Sequence, residues 1–502
     1  MNYLVQHMLL VLNRNTGLTS SGWVGMVILV YAYCWAADPF VVFAAATITA
    51  TEIRDELLQD GDCALREAIQ SINTGVQFDQ CGPGVHGQAL PAGPYVINLL
   101  VNDYTLSLAG TGEDANSTGD LDVNVSVTIQ GVSAAQTSIN GGAIDRVLDI
   151  DPTNSANITV TLANVTVENG LAPVATDGGG IRNQGDTLYV RNSIINDNTI
   201  QLGNGAGEIG SGGGIANIGG IVHIVNSSLT NNRLVNGGGG GIYNYLGGTV
   251  TISNSTISGN RASIASGFAS GGGISNSSNS AMDIVNSLIT DNEADGFGGG
   301  LINFTATMNI ANSTVTGNRA DSSGGGIRNT SALSMTHVTI TSNIADFNGD
   351  DTGDGGGVDA RLGETVLKAV IVVDNKDNSP PSGSVVPDGR GNFISAGYNI
   401  VGDVTEITGI INGVNNDRIG IDPLLGPLTG SPGYFPLQPT SPAIDFIPAT
   451  ACTFISSGPP LLITNGAPVT TSQNSVARPS NKGCDVGAYE GPHFTFSPIV
   501  LK

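Results

Sequence analysis

The chain has 502 residues and a formal charge of −24 at neutral pH, from 42 acidic and 18 basic side chains. So few basic residues exclude a surface for nucleic acid or anionic membranes, which requires clustered lysine and arginine. Glycine is abundant, with 71 residues, but it follows no strict Gly-x-y period, which excludes a collagen-like triple helix.

The first 46 residues read as a signal peptide or N-terminal hydrophobic segment. An apolar stretch runs from Trp23 to about Ala37, a second runs from Phe40 to Ala46, and "FAAA" offers the small residues that signal peptidase requires. We expect cleavage near Ala46, a secreted or cell-surface location, and no membrane span in the mature chain. The alternative is an uncleaved membrane anchor.

Cleavage near Ala46 removes Cys34 and leaves Cys63, Cys81, Cys452 and Cys484. An even number of cysteines in a secreted chain indicates disulfides, and four cysteines allow three connectivities. Nearest-neighbour pairing would join Cys63 to Cys81 and Cys452 to Cys484, and would fasten each end of the molecule.

Residues 47–84 are predicted to form an N-terminal cap with a short helix. Within "DGDCALREAIQSIN", the residues with helical spacing are Leu65, Ala68, Ile69 and Ile72. Asp62 is placed to cap this helix. A helix this short is not stable alone, so we expect its apolar stripe to pack over the first coil of the next domain.

Seven glycine triplets then define a repeat. They begin at residues 178, 212, 239, 271, 298, 324 and 355, a spacing typical of solenoid proteins. Five residues after the start of the first six triplets stand Asn183, Asn217, Asn244, Asn276, Asn303 and Asn329. No P-loop lysine or helix start follows the glycines. We therefore interpret them as architecture, either a turn with positive φ or a close approach of neighbouring coils.

An Asn-Ser pair recurs further along each unit. Its Asn is Asn192, Asn226, Asn254, Asn286 and Asn312, and His337 takes that position in the sixth unit. Apolar residues stand four and two positions before it and three positions after it. Six positions after it stand Asn198, Asn232, Asn260, Asn292, Asn318 and Asn343. The period of two predicts a strand with one buried face, and the shift to three predicts a corner. We interpret the Asn columns as structural ladders and His337 as a ladder substitute.

Short strands in units of this length predict an all-β fold, a parallel β-helix over residues 85–450 with regular coils from about 178 to 376. Helical repeats are excluded because no unit holds a useful 3.6-residue pattern. Residues 451–491 are predicted to form an irregular, disulfide-stapled C-terminal cap, and residues 492–502 a tail that shows no membrane helix or sorting signal.

The two ends of the chain resemble a known family. "DGDCALREAIQSIN", with "FDQC" and "LPAGPYVINL" downstream, resembles the CSLREA segment of secreted bacterial β-helix proteins. "DPLLGPL", "SPAID" and "ARPSNKGCDVGAYE" are similar to the choice-of-anchor Q ending of the same proteins. The resemblance implies a right-handed, pectate-lyase-like parallel β-helix at the bacterial cell surface. The four cysteines fall on the family's positions, which implies the nearest-neighbour pairing.

This sequence departs from the family pattern in two places. Ala64 replaces the usual Ser, and "SQNSVARP" stands where the family often has an Asp-Gln-Arg-Gly run. Any role of that aspartate is therefore not carried over to this chain. The resemblance implies a location but no established reaction.

The richest acidic run, "DFNGDDTGDGGGVDARLGETVLK", is the candidate metal site. Asp350, Asp351 and Asp354 could supply oxygen ligands to Ca²⁺, and Lys368 nearby is the candidate base of a lyase. The spacing matches neither an EF-hand nor an RTX repeat, and the alternative is a solvated loop between coils. Calcium is the only cofactor indicated, and no catalytic residue is assigned.

Two exposed columns are candidates for binding. The column after the triplets reads Arg182, Ala216, Tyr243, Ser275, Ile302, Arg328 and Asp359. Tyr243, Tyr245 and Phe304 could stack on sugars, but the column is too mixed to indicate a binding track. The second column places Arg261, Glu293 and Arg319 on successive coils, and we interpret it as a stabilising charge ladder.

The sequence predicts a secreted or cell-surface structural or adhesion protein that binds extracellular glycans or other surface components. The alternative is an extracellular polysaccharide lyase or glycoside hydrolase, which would need acids and a base that converge in a groove.

Overall fold

The computed structural model describes residues 46–201, 210–264, 269–380, 383–458 and 461–491. The predicted signal segment up to residue 45, Cys34 and the tail 492–502 lie outside these ranges. The described chain forms a parallel β-helix, as predicted from the repeat. Strands of successive coils pair in parallel in four sheets, and two short antiparallel hairpins follow near the C-terminus.

The first sheet has 21 strands and takes two strands from most coils. Before the first triplet its strands are Ala46–Ala50, Tyr95–Leu99, Leu121–Val123, Val127–Gln130, Leu148–Ile150 and Thr159–Ala163. In the regular coils they are Ile181–Gln184, Thr187–Arg191, Ile215–Ile218, Ile221–Val225, Ile242–Tyr245, Thr249–Ser253, Ile274–Ser277, Ala281–Val285, Leu301–Phe304, Thr307–Ala311, Ile327–Asn329, Ala332–Thr336 and Val358–Lys368. The last two are Gly389–Ser395 and Glu406–Thr408.

The second sheet has 12 strands, and each successive turn of the chain adds one. They are Asn102–Thr105, Thr137–Asn140, Thr166–Glu168, Ile194–Asn196, Ser228–Thr230, Thr256–Ser258, Leu288–Thr290, Thr314–Thr316, Thr339–Thr341, Ile371–Val373, Ile400–Val401 and Arg418–Ile419.

The third sheet has eight strands: Leu171–Ala172, Thr199–Ile200, Arg233–Val235, Arg261–Ser263, Glu293–Ala294, Arg319–Ala320, Ile344–Ala345 and Lys376–Asp377. A small fourth sheet holds Gly210–Ser211, Gly237–Gly238 and Ala269–Ser270. The hairpins are Thr429–Gly430 with Gly433–Tyr434, and Ile447–Pro448 with Gly483–Cys484. Two 3-10 turns span Val414–Asn416 and Ala449–Ala451.

The core lies between the sheets and consists of the predicted apolar columns. Parallel register stacks like on like, because each column repeats at the same position of every coil. One buried column of the first sheet reads Val190, Ile224, Ile252, Ile284, Ile310 and Met335. A buried column of the second sheet reads Ile195, Leu229, Ile257, Ile289, Val315 and Ile340.

The glycine triplets form a corner that has two distinct requirements. The first glycine of every triplet has a positive φ, from 64° at Gly271 to 76° at Gly324. The second and third glycines face the next coil. A Cβ added at Gly179 would lie 2.3 Å from the carbonyl oxygen of Gly213, and one at Gly180 would lie 2.7 Å from that of Gly214. Both expected reasons for glycine therefore operate within a single triplet.

A helix, Leu65–Thr74, packs its buried residues against the first coils, including the strands Ala46–Ala50 and Leu121–Val123. The helix begins one residue after Ala64, so the prediction that Asp62 caps it is wrong. Instead, Oε2 of Glu67 accepts a hydrogen bond from the backbone N–H of Ala64, at 3.0 Å. This is the half of a capping box that a first-turn glutamate supplies, and Ala64 makes no side-chain cap hydrogen bond.

Both predicted disulfides are present. Cys63 and Cys81 are joined with a Cα–Cα distance of 5.0 Å, and Cys452 and Cys484 are joined with one of 6.3 Å. The first bond fastens the helix to the segment that follows it. The second joins two residues of the C-terminal segment that follows the last strand of the solenoid.

The residues predicted to form the C-terminal cap lie along the side of earlier coils. We call residues 447–458 and 461–491 the C-terminal strap, because they run back along the outside of earlier coils. The backbone N–H of Ser457 donates to Oδ1 of Asn309, at 3.0 Å, and that of Leu462 donates to Oδ2 of Asp283, at 2.7 Å. Nε2 of Gln473 donates to the carbonyl oxygen of Ser287, at 3.1 Å. The strap therefore shields the side of several coils.

In the part of the chain that the structure describes, no helix has the length and apolar character needed to cross a membrane.

Candidate functional site

One column of outward-facing side chains crosses the first sheet between the two buried apolar columns. Parallel register places Tyr189, His223, Thr251 and Asp283 side by side on four successive coils. Side chains alternate between the two faces of a strand, so a residue between two buried ones points to solvent. Tyr189 and His223 are half-buried, whereas Thr251 and Asp283 are buried, so the column changes from open to covered after His223.

Two aromatic rings form a platform in the open part of the column. The rings of Tyr189 and His223 are stacked, with centroids 4.7 Å apart and an interplanar angle of 23°. The guanidinium of Arg191 lies 4.6 Å from the centroid of the Tyr189 ring. Nδ1 of His223 is 2.7 Å from Oγ1 of Thr251, which fixes the orientation of the imidazole. The platform thus combines two aromatic rings, which cover one face of each other, with one cation.

The platform is the floor of a groove of about 360 Å³. The lining residues are Tyr189, Arg191, Asn192, His223, Val225, Asn226, Thr251, Ser253 and Leu462. Leu462 belongs to the C-terminal strap and is 47% exposed. The strap therefore forms one wall of the groove and also marks where the open face ends.

The groove combines the positive charge of Arg191 with the neutral imidazole of His223. Burial, and to a smaller extent the charge of Arg191, lower the pKa of His223 below its usual value. Arg191 is exposed and carries the charge. Carboxylates are missing among the described residues that line the groove, so it offers no acid pair for glycoside hydrolysis.

A second groove, of about 470 Å³, lies across the neighbouring corner. It shares Asn226 with the first groove and is lined by residues of the second sheet and of the C-terminal region, including Ser431, Gln473 and Ser475. The two grooves together follow the exposed edge of the strap. Such a path suits an elongated ligand more than a small one.

The strap is anchored on the covered half of the same column. The carboxylate of Asp283, which is fully buried, accepts hydrogen bonds at Oδ2 from the backbone N–H groups of Leu462 and Ile463, at 2.7 and 2.9 Å. Its Oδ1 accepts from Nδ2 of Asn309, at 2.8 Å. Hydrogen bonds to an ionised group are among the stronger ones in proteins.

The Asn residues that follow the glycine triplets form a buried run of side-chain hydrogen bonds. Nδ2 of Asn183 donates to Oδ1 of Asn217, at 2.8 Å, and the same bond continues through Asn244, Asn276, Asn303 and Asn329 at 2.8–3.0 Å. A second run joins Asn198, Asn232, Asn260, Asn292, Asn318, Asn343 and Asn375 at 2.9–3.0 Å.

The Asn and the Ser of each Asn-Ser pair have different structural roles. Asn192, Asn226, Asn254, Asn286 and Asn312 all have a positive φ, from 46° to 51°, and so form a left-handed corner. The ladder at this corner is made by the serines. Oγ of Ser227 accepts from the backbone N–H of Ser193, at 3.1 Å, and Ser255, Ser287 and Ser313 continue the pattern at 3.1–3.2 Å. Of the expected Asn ladder, one hydrogen bond is present, from Nδ2 of Asn226 to Oδ1 of Asn192 at 3.4 Å, and the continuous ladder is made by the serines, which are buried.

The three predicted calcium ligands do not converge. Asp350 and Asp351 are exposed, and Asp354 pairs with Arg390 and lies 3.6 Å from Nη1 of Arg361. Asp350, Asp351 and Asp354 belong to no described group of acids whose ligand atoms lie within 4.8 Å of one another. The loop is instead held from within by the buried Asp346, whose carboxylate accepts the backbone N–H groups of Asp350 and Asp351 at 2.9 Å.

Two other predicted candidates lie beneath the strap. Lys368 is 9% exposed, its Nζ is 2.5 Å from Oγ1 of Thr453, and burial lowers its pKa. Lys368 lies on the outer face of its strand next to the inward-facing Leu367, but the strap covers it, so it does not line an open groove as a catalytic base would. His337 is fully buried with a φ of 52°, and it occupies the left-handed corner position of its coil.

The side chains of the column that follows the glycine triplets make contacts of their own. The rings of Tyr243 and Tyr245 lie 4.7 Å apart, and the hydroxyl of Tyr245 donates to Oδ2 of Asp177, at 2.9 Å. Phe304 is 52% exposed and stands apart from them. In the second column, Nη1 of Arg261 is 2.8 Å from Oε1 of Glu293, and Arg319 pairs with Oε2 of the same carboxylate. These ion pairs match the expected charge ladder.

Sequence reasoning missed the platform residues. Tyr189 and His223 each stand three positions before an Asn-Ser pair, between two apolar columns. Aligning that intermediate column would have shown aromatic rings on two successive coils beside a basic residue. The covered half could not have been identified in this way, because the strap is more than 100 residues distant in the sequence.

The chain was compared with known proteins. None of the protein-family models searched matches it, and no curated protein was found to be similar to it.

Proposed function

We propose that this protein is a secreted or cell-surface β-helix structural or adhesion protein that binds glycans in the groove at Tyr189. The observation that carries the proposal is the stacked Tyr189–His223 pair with Arg191 beside it. The end motifs that resemble CSLREA-type proteins with a choice-of-anchor Q ending favour the same bacterial surface location. The two disulfides are consistent with an oxidising compartment.

The chemistry of the groove indicates acidic glycans. Flat aromatic faces provide stacking surfaces for the apolar face of a sugar ring. A guanidinium forms two parallel hydrogen bonds with a carboxylate, such as the one a uronate residue carries. Since Arg191 is exposed beside the Tyr189 ring, one uronate could use both groups. We therefore expect uronate-containing polysaccharides to bind more tightly than neutral ones.

The test uses residues 46–502 and a panel of uronate-rich and neutral polysaccharides, with calcium and with chelator. Retention and chain cleavage are scored in the same samples. Tyr189→Ala and Arg191→Ala should each weaken retention of uronate polymers about tenfold, the factor that corresponds to 1.4 kcal/mol. Phe304→Ala, which removes an exposed aromatic ring elsewhere on the first sheet, is the matched control and should retain binding.

Arg191→Lys separates charge from geometry. Lysine keeps the charge but lacks the planar fork, so partial retention of uronate binding is expected. Equal retention by the parent chain and by Tyr189→Ala would argue against the groove as the binding site. Calcium-dependent cleavage would instead favour the polysaccharide lyase or hydrolase.

A further inference from the structure

An excess of buried acid lies on another part of the molecule, beside the N-terminal helix. The acidic residues there are Asp114, Asp120, Asp122, Asp145 and Asp149, and all but Asp114 are buried. The cations that contact them are Arg146 and Arg182. Burying a charge is costly unless it is paired, so four buried carboxylates against two guanidiniums leave an imbalance.

The two arginines are engaged chiefly by one carboxylate. Nε of Arg182 donates to Oδ1 of Asp149, at 2.9 Å, and its Nη2 is 2.5 Å from Oδ2 of the same residue. Arg146 pairs with Asp149 and lies 3.3 Å from Oδ2 of Asp120. Asp122 and Asp114 receive no ion pair from either arginine. The unbalanced charge is therefore on the loop that carries these two residues.

Two fully buried side chains of this loop each leave an acceptor oxygen without a hydrogen-bond partner. They are Oδ1 of Asp122 and Oδ1 of Asn116. The other atoms of these groups are occupied: Oδ2 of Asp122 accepts the backbone N–H of Asn116, at 2.7 Å, and Nδ2 of Asn116 donates to the carbonyl oxygen of Arg66, at 3.0 Å. An unsatisfied buried acceptor costs about 1–3 kcal/mol, so two in one loop point to a missing partner.

The loop is also held in a fixed shape. Arg66 of the helix is fully buried and donates to the carbonyl oxygens of Gly119 and Asp120, at 2.7 and 2.8 Å. The carboxylate of Glu113 accepts backbone N–H groups of Ser117 and Thr118, at 2.6 and 2.7 Å. A preorganised loop lowers the entropy that an incoming ligand must lose.

Asp114, Asp122 and Asp149 converge on one point. Each offers a carboxylate oxygen, and the three oxygens lie within 4.8 Å of one another. Asp114 is exposed and provides access from solvent, whereas the other two are buried. All of these donors are oxygens, which calcium prefers, and calcium accepts irregular arrangements that magnesium does not.

We propose that the loop of residues 113–122 binds one Ca²⁺ ion through Asp114 and Asp122, and that the ion shares the carboxylate of Asp149 with Arg146 and Arg182. The unpartnered amide oxygen of Asn116 is a further acceptor in the same loop. The ion offsets the excess acid and links the loop to the strand Leu148–Ile150, because Asp149 lies on that strand. This site is independent of the groove at Tyr189 and of the acidic run around Asp350.

Isothermal titration of residues 46–502, stripped with chelator and titrated with CaCl₂ or MgCl₂, tests the proposal. We expect one Ca²⁺ to bind per chain more tightly than Mg²⁺. Asp114→Asn and Asp122→Asn should each weaken calcium binding about tenfold or more. Asp122→Asn keeps an oxygen to accept the N–H of Asn116. If it fails to fold, Asp114→Asn decides the question, because residue 114 is exposed.

Asp62→Asn is the matched control. Asp62 belongs to a second acidic group with Glu52 and Glu56, which also has two buried acceptor oxygens without a hydrogen-bond partner, so the variant tests whether that group binds the ion instead. Arg54 lies 3.2–3.4 Å from all three carboxylates there. Calcium binding unchanged in Asp62→Asn and weakened in Asp114→Asn supports the proposal. The proposal is overturned by no binding up to about 10 mM free calcium, above the range of extracellular calcium modules. It is also overturned by binding that only Asp62→Asn weakens.

Discussion

Nη1 of Arg478 lies 2.7 Å from Nδ1 of His337, across 141 residues of sequence, and the same Nδ1 lies 3.1 Å from the carbonyl oxygen of Asp485. Both side chains are buried, and Arg478 also pairs with Glu490 at 3.2 Å. The contact joins the C-terminal strap to a left-handed corner of the solenoid. Burial and the nearby guanidinium both disfavour a charged imidazole and so lower the pKa of His337.

This pair predicts a pH-dependent stability. Burial, then Arg478 and the nearby Lys368, hold the pKa of His337 well below its ordinary value of 6.5. Below about pH 6.5 the unfolded chain takes up a proton that the folded chain refuses. Stability should therefore fall as pH drops, by up to about 1.4 kcal/mol per pH unit from this group.

His337→Asn removes the titrating group and restores the residue that other coils carry at this corner. Chemical denaturation at pH values between about 7.5 and 5 should show a shallower loss of stability for the variant than for the parent. Parallel slopes would mean that His337 already takes up its proton in the folded chain.

The second Asn run, from Asn198 to Asn375, predicts that one substitution will strongly lower the free energy of unfolding. Oδ1 of Asn260 accepts from both N–H groups of Asn232, backbone and side chain, at 3.0 Å, and its Nδ2 donates to the carbonyl oxygen of Leu229. Asn260→Ala leaves these groups unpaired in the interior and should lower the free energy of unfolding by about 2 kcal/mol or more. Asn254→Gly, at an exposed corner with positive φ, should change it by less than about 0.5 kcal/mol. Similar melting temperatures for the two variants would contradict this.

The glycine corner predicts which glycines accept a side chain. A Cβ at Gly240 would lie 2.3 Å from the carbonyl oxygen of Gly272, so Gly240→Ala should abolish soluble expression or lower the melting temperature strongly. Gly247 has a φ of 78° but no atom within 4 Å of an added Cβ. Gly247→Ala should therefore cost only about 1–2 kcal/mol of backbone strain. Thermal unfolding of both proteins measures the difference, and equal losses would show that contact with the next coil is unimportant.

The anchoring of the strap predicts local release. Asp283→Ala removes the acceptor of the Leu462 and Ile463 N–H groups, which should weaken strap attachment by about 1.5–3 kcal/mol. We expect faster limited proteolysis between residues 453 and 467 while the coils stay intact. The exposed Asp350→Ala serves as the comparison protein and should be cut at the parental rate. Unchanged cleavage of Asp283→Ala would indicate that other contacts hold the strap.

The coils could be predicted because their cause is local and repeated. A residue such as Val190 has the same neighbours in every unit, so its column appears in the sequence as a period. The choice between Asn226 and Ser227 as the ladder residue could not be predicted, because both are polar and adjacent and only the backbone turn decides which faces inward. The same limit applies to Asp62 and Glu67 at the helix start.

Contacts of long sequence separation were out of reach. The strap has no period, and nothing near Asp283 in the sequence indicates that residues 462 and 463 will cover it. The acids at Asp114 and Asp149 were not recognised as neighbours, because they lie on different coils whose alignment is irregular before the first triplet. The groove at Tyr189 lies on a column whose residue type changes from aromatic at Tyr189 and His223 to polar at Thr251 and Asp283. No single residue type repeats along it, so the column does not stand out in the sequence.

The second Asn run, from Asn198 to Asn375, also constrains how such a chain can change in length. From the first glycine of a triplet to the Asn that ends the coil, the chain advances by 20 positions in the first unit (178 to 198) and by 19 in the sixth (324 to 343). From that Asn to the next triplet, it advances by anything from 6 positions (318 to 324) to 14 (198 to 212). The segment from the Asn to the next triplet therefore varies by up to 8 positions, whereas the rest of the coil varies only between 19 and 21 positions. A gene that encodes this protein can extend its reach in fixed steps of about one strand spacing, roughly 4.8 Å, without disturbing what is already built.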